Sequence, residues 1–134
     1  MATLTAGKAA VGVMPKGLRA GLVAVTSTYS LAANLSAGDV IQMVKVPANA
    51  TPVYVAVWST AGGAGSVNVG DGGSANRYLN NYLYSAAGAY TPINTQYAPY
   101  TYSIDDTIDI TISAVSAAAS TGGFTMVAIF SMDT

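Results

Sequence analysis

Residues 107–113 read TIDITIS, and this stretch decides the fold class. Three isoleucines, Ile108, Ile110 and Ile112, alternate here with polar residues. Successive side chains of a β-strand point to opposite faces of the sheet, so the alternation predicts a strand that buries all three isoleucines on one face. We therefore expect an all-β protein with this strand in its core.

Other stretches rich in β-branched and aromatic residues predict further strands. Residues 40–46 predict a strand that ends at Pro47. Residues 53–58 and 124–130 are apolar on both faces, which predicts strands covered on both sides. Weaker candidates are residues 22–29, 66–69, 77–84 and 100–103. The segments between them are rich in Gly, Asn and Asp, which are turn residues.

About eight short strands with such turns predict a jelly-roll-like β-sandwich. The 134 residues suit one domain, which we place at residues 19–134. Residues 1–18 lack periodicity and are expected to form an extended N-terminal arm ordered by a partner, although a frayed terminus or a first edge strand is the alternative. The sequence has no signal-peptide pattern and no apolar run of the ~20 residues that a membrane helix needs.

Charge is sparse throughout the chain. Charged residues make up 8% of it, against about 25% in an ordinary soluble domain. Five basic residues and six aspartates give a net charge of −1, too little to attract nucleic acid or an acidic membrane. A free monomer usually relies on charge for solubility, so we expect much of the surface to be covered by partners, including copies of this chain. A neutral surface rich in Ser, Thr and Asn is the alternative.

Tyrosines concentrate in residues 78–102, which hold seven of the nine in the chain. Tyr combines a large contact area with a polar tip and is favoured at protein interfaces. Ordinary β-propensity is the alternative explanation. Loop-like residues interrupt the tyrosines, which favours a contact loop. The predicted partner-contact residues are Tyr82, Tyr84, Tyr90 and Tyr97 in this segment, and Met14 and Leu18 in the arm.

The sequence offers little catalytic chemistry. His and Cys are absent, which excludes Ser-His-Asp and Cys-His arrangements and the usual zinc ligands. Asp105 and Asp106 are adjacent in a strand and should point to opposite faces, so a turn cap is favoured over a carboxylate pair. We expect no catalytic residue, cofactor or metal.

The glycine-rich stretch 70–73 is the strongest candidate in the sequence for a metal site. Asp71, Asn68 and Asn76 carry the oxygen donors that calcium prefers. A tight loop in which Asp71 bonds its own backbone is the favoured interpretation, because the spacing does not match a calcium-binding loop.

Five motifs occur in a familiar order. They are LSAGDVI (35–41), VKVPANA (44–50), VGD (69–71) with RYL (77–79), and YTY (100–102) before DTIDIT (106–111). This order resembles the jelly-roll cement or decoration proteins of tailed bacteriophages. The resemblance implies a virion protein without enzyme activity that binds the capsid outer surface and cements neighbouring major capsid proteins. Its partners would be the major capsid protein and itself, as a homo-dimer or trimer.

The rival hypothesis is a carbohydrate- or receptor-binding β-module of a phage tail or fibre. A concave pocket lined by Trp58, Tyr82, Tyr84 and Tyr90 would favour this rival. The same aromatic residues in a flat patch facing an oligomer partner would favour the cement protein.

Overall fold

The computed structural model describes residues 2–6, 21–84, 89–92, 100–118 and 121–132. Within these ranges the chain forms nine β-strands and no helix, and so no helix suited to crossing a membrane. The strands are β1 (Thr3–Thr5), β2 (Gly21–Ser30), β3 (Val40–Val46), β4 (Ala50–Ser59), β5 (Ala64–Gly70), β6 (Leu79–Tyr84), β7 (Ala89–Pro92), β8 (Asp106–Ala117) and β9 (Gly123–Met132).

The strands form two sheets with the connectivity of a jelly roll. One sheet has the order β1-β3-β8-β5-β6 and the other β2-β9-β4-β7. The antiparallel pairs β2–β9, β3–β8, β4–β7 and β5–β6 are nested, as if one long hairpin were folded over itself. The predicted jelly-roll-like β-sandwich is confirmed, and β1 is a short addition at the edge beside β3.

The core lies between the two sheets. Ile108, Ile110 and Ile112 are all fully buried, as the alternation in residues 107–113 predicted. Phe124, Met126 and Phe130 of β9 are buried against them from the other sheet. Every second residue of each central strand thus faces the same apolar interior.

The prediction that strands β4 and β9 are covered on both sides holds only in part, because Ala56 on the outer side of β4 is fully buried whereas the outer side of β9 is partly exposed. Val55 and Val57 of β4 are buried, whereas Trp58 is 38% exposed. Val53 is exposed at a bulge between Pro52 and Tyr54. The second apolar side of these strands lies on the outside of the sandwich.

Two other strand assignments differ from the prediction. Residues 100–103 form no strand, because the backbone of Tyr102 instead bonds the turn before β4: its amide donates to Ala50 O and its carbonyl accepts from Asn49 N. Strand β7 occupies a stretch that the sequence indicated as a loop. It is a short edge strand ending at Pro92, a position where proline is tolerated.

The start of the N-terminal segment is an edge strand. Thr3–Thr5 pair in parallel with β3, Leu4 packs against the core, and Ala6 is buried. For these residues the edge-strand alternative is correct. Residues 7–20, with Met14 and Leu18, lie outside the described residues, so the domain boundary at residue 18 and contacts of the arm with a partner stay predictions.

Asp39 attaches this edge strand to the sandwich. Its carboxylate accepts hydrogen bonds from Ala2 N at 3.2 Å and Ser36 N at 2.9 Å. We expect Asp39→Ala to lower the free energy of unfolding by about 1–2 kcal/mol, because two partly buried amides lose their acceptor. Urea unfolding measures this loss, and amide exchange at Ala6, which bonds Gln42 O, should become faster.

The control for this prediction is Asp105→Ala. The Asp105 carboxylate accepts a single bond, from Ala48 N, in an exposed setting. Its removal should change stability by less than about 0.5 kcal/mol. Equal losses in the two variants would show that Asp39 does not hold the strand.

Candidate functional site

The structure separates the predicted contact tyrosines. Tyr84 is 3% exposed, and its ring packs edge-on against Phe124 with centroids 5.5 Å apart. The prediction that Tyr84 contacts a partner is therefore wrong, because its side chain is part of the core. Tyr82 is partly buried against that core, Tyr90 lies in β7 opposite Trp58, and Tyr97 is outside the described residues.

The ends of the tyrosine segment meet in a buried polar group that we call the Asp71 cluster. It contains Asp71, Arg77, Tyr78, Tyr100 and Tyr102. The Tyr78 and Tyr102 hydroxyls are 2.7 Å apart, and the Tyr102 hydroxyl donates to Asp71 Oδ2 at 2.8 Å. Hydrogen bonds thus hold the two ends of the tyrosine segment, Tyr78 and Tyr102, together.

Arg77 completes the cluster. Its guanidinium donates from Nε to Asp71 Oδ2 and from Nη2 to Asp71 Oδ1, the latter at 3.2 Å. The Cζ atom lies 3.5 Å from the centroid of the Tyr100 ring, which in turn packs edge-on against Tyr102. A cation over an aromatic face and a forked pair with a carboxylate both hold the guanidinium in place.

Asp71 also closes its own loop. Its Oδ1 accepts from Gly73 N at 3.0 Å and Ser74 N at 2.8 Å, which confirms the tight loop expected for residues 70–73. Burial raises the pKa of Asp71, but hydrogen bonds from Arg77, Tyr102 and Ser74 outweigh it and leave the pKa lowered. Burial raises the pKa of the Tyr102 hydroxyl, and its neighbours Tyr78 and Asp71 raise it further. The cluster is therefore a satisfied ion pair that serves structure.

Asp109 is buried, as are Asp39 and Asp71, and the sequence pattern predicted burial for none of the three. Asp109 lies on the outer side of β8, opposite Gly70 of β5, and is 8% exposed. A Cβ atom at position 70 would come within 2.0 Å of Ser74 O, so the glycine lets the loop after β5 fold back close to the sheet. The loop brings Asp71 close enough to Asp109 for the two carboxylates to interact electrostatically.

The environment of Asp109 opposes its charge. Burial raises its pKa to about 6, Asp106 and Asp71 raise it too, and a hydrogen bond with Thr107 acts in the opposite sense. Its Oδ1 has no hydrogen-bond partner among the residues described. Within the same part of the chain, no three His, Cys, Asp or Glu side chains are grouped so that they could hold a metal ion.

Asp105 and Asp106 do not converge on a common point. Asp105 caps the turn before β4 through Ala48 N, and Asp106 Oδ1 accepts from Thr107 N at 2.8 Å. An open pocket of about 330 Å³ lies beside them. Its lining residues are Gln42, Lys45, Asp105, Asp106 and Thr107. Neither an aromatic side chain nor an activated nucleophile lines it.

The outer side of β2, β9 and β4, which we call the uncharged face, carries the exposed residues Leu22 and Trp58 and the fully buried residue Ala56. None of these three strands contains a charged residue. Across its centre, Thr26 of β2, Val127 of β9 and Ala56 of β4 stand side by side. Other side chains on this face are Leu22, Ala24, Thr28, Thr125, Ile129 and Trp58.

Charge is confined to the other sheet. The charged residues that the structure describes all lie in β3 or β8, or in loops next to strands of that sheet; they are Asp39, Lys45, Asp71, Arg77, Asp105, Asp106 and Asp109. Among the residues that the structure describes, one side of the sandwich therefore carries the charge and the other side carries none; Lys8, Lys16, Arg19 and Asp133 lie outside these residues. The sequence indicated an uncharged outer side, because the segments that form β4 and β9 are apolar on both faces.

Leu83 is a separate exposed apolar residue. It lies in the edge strand β6, within the tyrosine segment, and is 74% exposed. Neighbouring Asn81 has a positive φ of 51°, and its amide donates to Asn68 Oδ1 at 2.8 Å. Sequence composition pointed to the tyrosines of this segment, but among its described residues the most exposed large apolar side chain is Leu83.

Comparison of the fold with solved structures finds phage capsids. The chain is similar to one in the capsid of Ralstonia phage GP4, with a TM-score of 0.82, 18% identity and 99% of each chain covered. In the cyanophage Pam1 capsid asymmetric unit the TM-score is 0.66 at 17% identity, covering 90% of this chain and 91% of the other. In the acid-stable capsid of Helicobacter pylori bacteriophage KHP30 the TM-score is 0.52 at 16% identity, covering 85% and 95%.

No protein-family model matches the chain, and no curated protein matches it. At identities below 20%, the structural similarity shows a shared fold.

Proposed function

We propose that this chain is a structural virion protein, without enzyme activity, that binds the outer surface of a phage capsid and cements neighbouring major capsid proteins. It works as a dimer or trimer. The similarity to chains of three phage capsid structures supports the capsid part of this proposal. The low charge supports the binding part, because an uncharged surface favours burial against other proteins.

The observation that carries the proposal is the exposure of Leu83 in a hydrogen-bonded strand, within a segment whose two ends meet in the Asp71 cluster. The Asp71 cluster fixes both ends of the tyrosine segment, and β6 holds Leu83 in a sheet at its start. A contact residue held in one conformation loses little entropy on binding, so its buried area contributes fully to affinity. We assign Leu83 as a shell contact, with Tyr82, Tyr90 and Tyr97 as proposed neighbours in the interface.

Among the residues that the structure describes, the aromatic side chains named for the rival ligand-binding module do not come together in one pocket. Tyr84 is in the core, and Trp58 and Tyr82 belong to different sheets. The open pocket beside Asp105 has no aromatic lining. This pocket therefore offers no aromatic ring on which a sugar ring could stack.

The test is Leu83→Asp, measured on capsid shells that lack this protein. A buried hot-spot residue contributes about 2 kcal/mol or more, so the variant should bind shells at least about tenfold more weakly. Co-sedimentation gives the occupancy, and thermal disruption of the decorated particles gives the cementing effect. The side chain is exposed, so the isolated variant should keep its thermal midpoint.

The control is Ile104→Asp, which introduces the same charge at an apolar residue that is 71% exposed and outside β6. It should keep full occupancy. Wild-type protein that does not bind shells would refute the proposed function. Attachment of the wild type to host-cell polysaccharide without shell binding would establish the rival in its place.

A further inference from the structure

We propose that the uncharged face is the surface through which two copies of this chain pair, face to face about a two-fold axis. This inference rests on the proposed function, in which the protein acts as an oligomer on the shell. It assigns the partner of that face as a second copy of the chain, whereas Leu83, in the other sheet, contacts the shell.

The charge distribution fits a self-complementary contact. A two-fold interface brings the same patch of each copy together, so any charged residue near the axis would meet its own like charge. Like charges placed opposite each other across an interface cost several kcal/mol. The uncharged face has no such residue, and the described charges lie on the other sheet and its loops.

Two pairs of hydroxyls at this face are hydrogen-bonded within the chain. The Thr28 and Thr125 hydroxyls are 3.1 Å apart on neighbouring strands, and the Thr51 hydroxyl is 2.7 Å from that of Thr101. Hydroxyls that keep a hydrogen bond lose little when water leaves. Burial of the face therefore leaves these four hydroxyls with a partner.

The size of the face is close to what a specific contact needs. Three ten-residue strands at the usual rise and spacing project an area of about 450 Å². Two such faces, with their side-chain relief, remove roughly 1,000 Å² from water, the lower limit for a specific interface. The pair is therefore expected to be weak in solution and to gain occupancy where copies are concentrated on a shell.

The strand pattern favours a second copy over another kind of partner. β9 alternates buried Phe124, Met126 and Phe130 with the partly exposed residues Thr125, Val127 and Ile129, so its outer side presents branched side chains at sheet spacing. Such a side packs best against another twisted sheet about 10 Å away. The same face of a second copy supplies one with matching twist and spacing.

A single cysteine tests the geometry, because the natural chain has none. Val127→Cys places a thiol at the centre of the uncharged face, and Thr111→Cys places one on the central strand β8 of the other sheet. A short bismaleimide should join two copies of the Val127→Cys protein and should leave Thr111→Cys unjoined. Equal cross-linking of the two variants, in solution and on shells, would overturn the inference.

A charge at the same position tests the energetics. In a two-fold interface, Val127→Lys places one lysine from each copy close to the other. Self-association measured by sedimentation equilibrium should therefore weaken by at least about tenfold. Thr111→Lys is the matched control and should not change it. Circular dichroism checks that both variants keep the wild-type fold.

Two outcomes would separate this inference from the proposed function. If Val127→Lys leaves self-association unchanged while wild-type protein still decorates shells, the face assignment is wrong and the function stands. If Val127→Lys abolishes shell binding but not self-association, the face contacts the shell and the second copy is the wrong partner.

Discussion

Replacing Asp71 by Ala is expected to lower the free energy of unfolding by about 3–5 kcal/mol, the usual result of removing one partner of a buried ion pair. The substitution leaves the Arg77 guanidinium without its carboxylate and the Tyr102 hydroxyl and two loop amides without their acceptor. Denaturant unfolding at neutral pH measures the loss. Amide exchange should also rise across β6, because the cluster holds the start of the tyrosine segment.

Tyr102→Phe is a milder substitution in the same cluster. It removes only the hydroxyl that joins Tyr78 to Asp71, and it keeps the forked pair of Asp71 with Arg77. The expected loss is about 1–3 kcal/mol, smaller than that of Asp71→Ala. A loss below about 1 kcal/mol in Asp71→Ala itself would show that the cluster does not stabilise the fold, and would remove the main support for rigid presentation of Leu83.

Asp109→Asn is expected to act in the opposite direction and to stabilise the protein at neutral pH by about 3 kcal/mol. The folded-state pKa of Asp109 is about 6, against an ordinary value of 3.8. At pH 7 the native protein therefore holds a buried charge near Asp106 and Asp71. Lys45 of β3 stands opposite Thr107, while Gln42 stands opposite Asp109, so no cation is paired with it in the sheet.

The pH dependence follows from the direction of this pKa shift. Below about pH 4 the carboxyl is protonated in both states, and Asp109 carries no penalty. Between about pH 4 and pH 6 the unfolded chain loses the proton first, so stability falls as the pH rises through this window. Above about pH 6 the penalty is constant. The lowered pKa of Asp71 acts in the opposite sense, because its contribution is lost as the pH falls below about 4.

The difference between wild type and Asp109→Asn isolates the effect of Asp109. The two free energies of unfolding should be similar at pH 4 and should diverge progressively up to about pH 7. Asp105→Asn, which removes an exposed carboxylate near the start of β8, should reproduce the wild-type profile. A variant that is less stable than wild type at pH 7 would show that the Asp109 carboxylate has a partner that compensates its burial.

Local pattern predicted the parts of the fold that depend on neighbours in sequence. The alternation around Ile110 correctly placed a core strand, and Pro47 correctly marked the end of β3. The glycines around Asp71 predicted a tight loop in which that carboxylate bonds its own backbone. Each of these features is determined by side chains a few residues apart.

Features that depend on contacts between distant segments could not be predicted from local sequence pattern. The alternation places Asp109 on the side of β8 opposite the isoleucine face, and it gave no sign that this side is also buried at Asp109. Tyr84 is buried because Phe124, far along the chain, completes the core around it. The contact role assigned to Tyr84 failed for this reason, since composition showed that tyrosines cluster but gave no information on which of them face inward.

The nested strand pairs also determine when this chain can fold. β9 is the ninth strand in chain order, yet it lies between β2 and β4 in its sheet, with Gly21 opposite Met132. A nascent chain that stops short of β9 leaves β2 without a neighbour in its sheet, so the sandwich cannot close on the ribosome before β9 has emerged. High contact order of this kind goes with folding times of about milliseconds to seconds. During that interval the apolar strand β2 is open to the wrong neighbour, and a high rate of synthesis would favour aggregation over assembly.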